Sequence, residues 1–177
     1  MQPSPDSTPY KIISVILASG KGKRFGMPKS EALLSGASFS ETIRNTHREA
    51  GLQDVILAVG LNTPDMISTL REALASYPST WDACLVHPVD HPFVRPQTIR
   101  LLCECSALYP ECVVRPLFQG RRGHPILIPA RLDLSADHHG QGLRGIIASS
   151  GLSHVDLKVD DPGILRNINY PNDLYET

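Results

Sequence analysis

A chain of 177 residues, 41% hydrophobic and 20% charged, is long enough to bury the core of one globular domain. A formal net charge of −1 offers no overall attraction to nucleic acid or to an anionic membrane surface, so neither is expected as a partner. No apolar run approaches the roughly 20 residues that span a bilayer, and the expected location is the cytoplasm.

Met1 to Tyr10 is polar and rich in Pro and Ser, without the basic start and apolar core of a signal peptide. It reads as a flexible leader (residues 1–10) ahead of a single domain at 11–177. Lys11 to Leu17 is an apolar, β-branched run that ends in a Gly-rich loop, the pattern of a buried strand. Ser40 to Ala50 reads as a helix with Ser40 as N-cap and Gly51 at its end. Asp54 to Val59 is a second buried strand, and Asp65 to Ser76 has helical spacing through Met66, Leu70, Ala73 and Leu74. Ala83 to His87 forms a third strand closed by Pro88. A helix from Gln97 to Leu108 follows, with Pro96 at its start, where a missing N–H does no harm. Cys112 to Arg115, Pro125 to Ile128 and His154 to Val159 are further strands. Leu143 to Ser149 is a short helix, and Tyr170 to Tyr175 a terminal helical turn.

Alternating strands and helices, with strands apolar along their whole length, indicate a mostly parallel sheet covered on both faces. Cys84, Cys103, Cys105 and Cys112 match the spacing of neither a zinc ribbon nor a redox pair and are expected to be reduced thiols.

The loop after the first strand, Leu17 to Lys29, reads L-A-S-G-K-G-K-R-F-G-M-P-K. It has three glycines, four basic side chains and no acid. Glycines let backbone N–H groups approach phosphate oxygens, and cations offset a triphosphate's charge. The carboxyl end of a strand is also where ligands gather in such sheets. A P-loop is excluded because Gly22-Lys23 is followed by Arg24 rather than Ser or Thr, and a dinucleotide fingerprint because Phe25 stands where a glycine is needed.

The third strand runs into C-L-V-H-P-V-D-H-P. There Asp90 is placed to hold Mg²⁺, which takes one or two carboxylates together with phosphate oxygens and water. A plain turn or cap is the alternative for Asp90. A zinc site of His87, Asp90, His91 and His124 is another, although the intervening prolines keep His87 and His91 off one helical face. Gly120 to Pro125 (G-R-R-G-H-P) suits a tight turn that presents Arg121, Arg122 and His124 to an anionic acceptor.

Together these runs resemble the MobA-like NTP transferases, and most of all their molybdenum-cofactor cytidylyltransferase (MocA-type) branch. The resemblance lies in L-A-S-G-x-G-x-R-x-G-x-P-K, D-x-P and G-x-x-G-H-P, and covers most of Lys11 to Tyr175. It implies a three-layer α/β/α Rossmann-like nucleotidyltransferase fold. It implies nucleotide binding by Leu17, Ala18, Ser19, Gly20, Gly22, Lys23, Arg24 and Lys29, with Arg24 and Lys29 as the triphosphate cations. Catalysis would rest on Arg24, Lys29 and Asp90, with Mg²⁺ on Asp90 and Asn169, and the acceptor would lie by Arg122, Gly123 and His124. The implied reaction moves CMP from CTP to a phosphorylated acceptor such as molybdopterin, releasing pyrophosphate.

Three departures from the pattern stand out. Gly140 replaces an acid in G-Q-G-L-R, and Asn167 and Asn169 stand where many cytidylyltransferases carry aspartates. Asp160 or Asp161 could substitute for those acids. The stretch between Gly60 and the third strand is shortened. They leave open a nucleotide-binding homologue without transfer activity, beside a sugar-phosphate nucleotidyltransferase.

Overall fold

The first apolar run forms strand β1 (Ile12–Leu17), all but its first residue buried. The computed structural model describes residues 9–18, 33–34, 36–59, 63–135 and 141–174. In chain order β1 is followed by the short antiparallel pair β2 (Leu33–Leu34) and β3 (Ala37–Ser38), helix α1 (Phe39–Glu49), β4 (Val55–Ala58) and α2 (Met66–Ala75). Then come β5 (Ala83–Pro88), α3 (Pro96–Leu108), β6 (Val113–Phe118), β7 (Arg121–Arg122) and β8 (Ile126–Pro129). The chain continues through α4 (Gly142–Ser149), β9 (His154–Lys158) and two 3-10 turns, Pro162–Leu165 and Pro171–Leu174.

Seven strands make one sheet in the order β4-β1-β5-β8-β6-β7, with β9 on β6. β1 lies parallel to β4 and β5, and β9 parallel to β6. β8 runs against both β5 and β6, so five of the seven strands share one direction and β7 and β8 oppose them. The sheet is mostly parallel, as its apolar strands require, and the fold is the expected three-layer α/β/α arrangement.

Alternation along each strand divides the core between the two faces. Ile13, Val15, Leu17, Cys84, Val86 and Val113 pack with Ile67, Leu70 and Ala73 of α2 and with Ile146 and Ile147 of α4. On the opposite face Ala83, Leu85, Val114 and Leu127 meet Ile99, Leu102 and Cys105 of α3. There Ile16 also meets Phe39 and Ile43 of α1.

Several boundaries differ from the sequence reading. The N-cap of α1 is Ser38, not Ser40. The Ser38 hydroxyl accepts from Glu41 N–H at 3.2 Å, while the Glu41 carboxylate accepts from Ser38 N–H at 2.9 Å. This reciprocal capping box satisfies two backbone donors at once, and it leaves Ser40 buried inside the helix. Gly51 follows the helix with φ +99°, the left-handed conformation expected of it. β5 runs through Pro88, and β6 is longer than expected because it folds back on β7 through Gln119-Gly120, both at positive φ. The terminal turn is 3-10 rather than α-helical. Tyr10, assigned to the leader, packs against the α3 side of the core and shares a 3.0 Å hydrogen bond with Ser106.

Candidate active site

β1 and β5 are neighbours in parallel register, so their carboxyl ends open at the same edge of the sheet. Ala18 N–H donates to the Ala58 carbonyl at 3.0 Å, and Val89 N–H to the Leu17 carbonyl at 3.0 Å. The chain leaving β5 is thereby tied to the place where the Gly-rich loop departs. Ser19, Gly20, Gly22, Lys23, Arg24 and Lys29 lie outside the described residues.

Asp90 follows one residue after that tie. Its backbone carbonyl accepts from Ile168 N–H at 2.8 Å, which brings the tail segment Asn167 to Asn169 against it. Its carboxylate accepts a 2.9 Å hydrogen bond from His91 Nδ1 and has 23% of its side chain exposed. The His124 ring lies 4.7 Å from the His91 ring, and His124 N–H donates to the Ile164 carbonyl at 2.9 Å. Leu17, Ala18, Asp90, His124 and the backbone of the Asn169 segment are thus brought to one edge of the sheet, although they span 153 positions of sequence from 17 to 169.

His124 is an uncharged wall of this site rather than a cation. Burial, and then the neighbouring His91 ring, push its pKa down to about 4. Among the described residues its Nδ1 has no hydrogen-bond partner. Gly123 matters by close approach: a Cβ there would overlap the Ile164 carbonyl, so only glycine lets the G-H-P turn lie on the 3-10 turn at Pro162–Leu165.

Arg122 is engaged elsewhere. Its guanidinium donates to both oxygens of Asp156 on β9, at 2.7 Å from Nη2, and Arg115 Nε donates to the same carboxylate at 3.1 Å. These two cations hold the Asp156 carboxyl below the usual carboxylate range, chiefly through the Arg122 hydrogen bond.

Asp161, offered as a replacement metal ligand, has a structural task instead. It is 2% exposed, and its carboxylate accepts from Arg95 N–H at 2.9 Å, Thr98 Oγ1 at 2.6 Å and Gly163 N–H at 2.9 Å. It ties the start of α3 to the 3-10 turn. A carboxylate so enclosed and so fully bonded has no side open to a metal at the sheet edge.

His87 does not belong to a zinc site either, since both ring nitrogens are hydrogen-bonded, to His47 at 2.8 Å and to the His91 carbonyl at 2.9 Å. Among the described residues no group of three His, Cys, Asp or Glu side chains gathers as a metal cage.

A family model described as the MobA-like NTP transferase domain matches residues 59–155, more than half of the chain, including Asp90 and the G-R-R-G-H-P turn. The chain belongs to that family. No curated protein matches it in sequence. Among solved structures it is similar to Rv0371c from Mycobacterium tuberculosis H37Rv, at 20% identity and TM-score 0.77, covering 95% of this chain and 97% of that one. The same mycobacterial protein in complex with manganese matches at 21% identity and TM-score 0.66, covering 84% and 88%. A nucleotidyl transferase from Methanothermobacter thermautotrophicus gives 19%, 0.75, 93% and 94%. The 2-C-methyl-D-erythritol 4-phosphate cytidylyltransferase from Thermus thermophilus gives 16%, 0.67, 93% and 96%. At these identities the likeness establishes the fold.

In this MobA-like chain, sequence reasoning missed Ser14 and His47. Each is a polar residue in an otherwise apolar stripe. Ser14 interrupts β1, and His47 follows Phe39 and Ile43 at four-residue spacing on the buried face of α1. Interior polar residues that lack local partners signal partners elsewhere, and here they partner one another. The four cysteines are free thiols, and burial raises the Cys103 thiol to about 12. Among the described residues no helix is long and apolar enough to cross a membrane.

Proposed function

We propose that this chain is a Mg²⁺-dependent cytidylyltransferase of the MocA-type branch. In this reading residues 11–177 form one domain that moves CMP from CTP to a phosphorylated acceptor of the molybdopterin kind. The observation that carries the reading is the meeting of Leu17-Ala18, Asp90 and the Asn169 segment at the carboxyl edge of β1 and β5. That edge is where an α/β sheet holds its ligands, and it combines the root of a cationic Gly-rich loop with a carboxylate.

Arg24 and Lys29 bind the triphosphate, and backbone groups of Leu17 to Gly20 face the base and sugar. Asp90, with Asn169 as a neutral second donor, holds Mg²⁺. Mg²⁺ takes one or two carboxylates and keeps its other sites for phosphate and water, and Asp90 with the neutral Asn169 offers that kind of donor set. The manganese complex of Rv0371c supports a divalent ion on this fold. When bound, the ion supplies charge stabilisation at the α-phosphate. An acceptor phosphate oxygen attacks the α-phosphorus in line, and the bond to the β-phosphate oxygen breaks as pyrophosphate leaves. Gly123 and His124 form the wall on the acceptor side, with Arg122 nearby in sequence.

Titration of CTP, GTP, ATP and UTP with Mg²⁺, paired with pyrophosphate release, tests the reading. Micromolar CTP binding and release on addition of acceptor are expected, and Asp90→Ala should cut release at least a hundredfold while leaving the melting temperature near wild type. Absence of binding to all four nucleotides would sink the proposal. Binding without turnover across molybdopterin and sugar-phosphate acceptors would favour a homologue that has lost transfer, the reading that Asn167 and Asn169 also allow.

A further inference from the structure

Between the sheet and α1 lie three polar side chains with no exposure to solvent: Ser14 of β1, His47 of α1 and His87 of β5. They form a single row. Ser14 Oγ is 2.8 Å from His47 Nδ1, His47 Nε2 is 2.8 Å from His87 Nδ1, and His87 Nε2 is 2.9 Å from the His91 carbonyl oxygen.

The direction of every bond in the row follows from its last member. A carbonyl oxygen only accepts, so His87 must carry its proton on Nε2. In a neutral ring its Nδ1 is then an acceptor, which requires the proton of His47 to be on Nε2. That leaves His47 Nδ1 to accept the Ser14 hydroxyl. Burial keeps both rings neutral, holding His47 at about 3 and His87 well below the ordinary histidine value.

Volume alone does not call for this arrangement. An apolar trio would fill the space without the desolvation that three buried polar groups incur. What the row adds is a fixed geometry, running from β1 through α1 and β5 into the turn beyond β5. It ends on the backbone of His91, whose ring donates to Asp90, while Ile168 N–H holds the Asp90 carbonyl from the other side.

We propose that His87, backed by His47 and Ser14, is a positioning residue that fixes the turn presenting Asp90. The inference rests on the reading of Asp90 as the metal-binding carboxylate. His87 touches neither nucleotide nor ion. It sets the backbone from which the carboxylate projects, and glutamine can stand in for it because its amide offers the same donor to His91 and an oxygen toward His47.

The test compares wild type, His87→Leu, His87→Gln and Ser14→Ala. The readouts are the Mn²⁺ concentration that half-saturates CTP binding and amide exchange in the Asp90 to Phe93 segment. His87→Leu should raise the half-saturating Mn²⁺ about tenfold, with CTP affinity in the absence of metal unchanged. His87→Gln should restore it to within about threefold, and Ser14→Ala, at the far end of the row, should give a smaller shift in the same direction. Exchange at Asp90 to Phe93 should quicken about tenfold in His87→Leu and recover in His87→Gln. A folded His87→Leu with wild-type Mn²⁺ dependence and exchange overturns the proposal. If His87→Leu does not fold, a Ser14→Ala protein identical to wild type in both readouts overturns it as well. Should wild type bind no Mn²⁺ with CTP, the metal reading of Asp90 falls, and amide exchange alone then decides whether His87 positions the turn.

Discussion

The two faces of the sheet are built from the same strands but solve different problems. Against α2 and α4 a cluster of apolar side chains runs from Ile13 and Val15 to Leu70 and Ile146, and the buried Thr69 of α2 bonds locally, to Thr63 and to the Asp65 carbonyl. Against α1 the strand positions Ser14 and His87 carry polar side chains that need a partner, and His47 supplies it. The apolar face can be held by any well-packed set of side chains of the right volume. The other face has an apolar core too, with Ile16, Phe39 and Ile43 beside α1, and adds hydrogen bonds that specify direction and register on the way to Asp90. Both sides of the sheet bury apolar side chains, and the side against α1 carries a hydrogen-bonded row in addition.

The largest effect expected is on the apolar side. Leu70 is fully buried between α2 and the sheet, and Leu70→Ala should cost about 2–5 kcal/mol, a removed side chain plus the cavity it leaves. Urea unfolding should show this loss equally at pH 7.5 and pH 5.5, since no titrating group in the polar row is touched.

The polar side should respond to pH instead. His47 has a native pKa of about 3, far below its unfolded value, and burial lowers His87 likewise. Between these native values and the unfolded value near 6.5 the unfolded chain binds more protons, so stability is fully present above pH 6.5 and is lost as pH falls below it. Each such histidine contributes a slope of up to about 1.4 kcal/mol per pH unit. Urea midpoints from pH 7.5 down to 4.5 should therefore fall with a slope near two protons or more. His47→Gln should flatten that slope by about one proton, and an unchanged slope would break the distinction between the faces.

The elements that build the two faces were legible in the sequence, the polar row on one of them was not, and the missing part has a physical reason. Among the described residues, period and composition placed every α-helix and each strand longer than two residues but not the 3-10 turn at Pro162–Leu165, because apolar runs and caps are local signals. They also drew attention to Asp90, an acid that directly follows an apolar run closed by Pro88, which is a local signal. The row of Ser14, His47 and His87 spans 14 to 87 in sequence and becomes visible only when β1, α1 and β5 are packed together. Asp161 shows the same limit from the other direction. Its neighbourhood of charges and turn residues resembles a site, and only the fold shows its carboxylate turned inward onto Arg95, Thr98 and Gly163.

The smallest stability effect belongs to Arg122, and it sharpens the comparison at the end of the sheet formed by β6, β7 and β9. There the strand faces of β6 and β9 carry Arg115 and Asp156 in register, and Arg122 closes over the same carboxylate. Arg122 is 58% exposed, so its ion pair is screened by solvent and Arg122→Ala should leave the urea midpoint within error of wild type. Its effect should appear in the acceptor. An anion bound at Arg122 must compete with Asp156 for the same guanidinium, and Asp156→Asn weakens that competitor while keeping its shape. If Arg122 contacts the acceptor, Arg122→Ala should raise the acceptor KM severalfold at little change in kcat, and Asp156→Asn should lower it. Steady-state kinetics with the two variants side by side separates this from a purely structural pair, for which both substitutions would leave KM unchanged. The opposite signs are the diagnostic feature, because general loss of order at β7 would move both variants the same way.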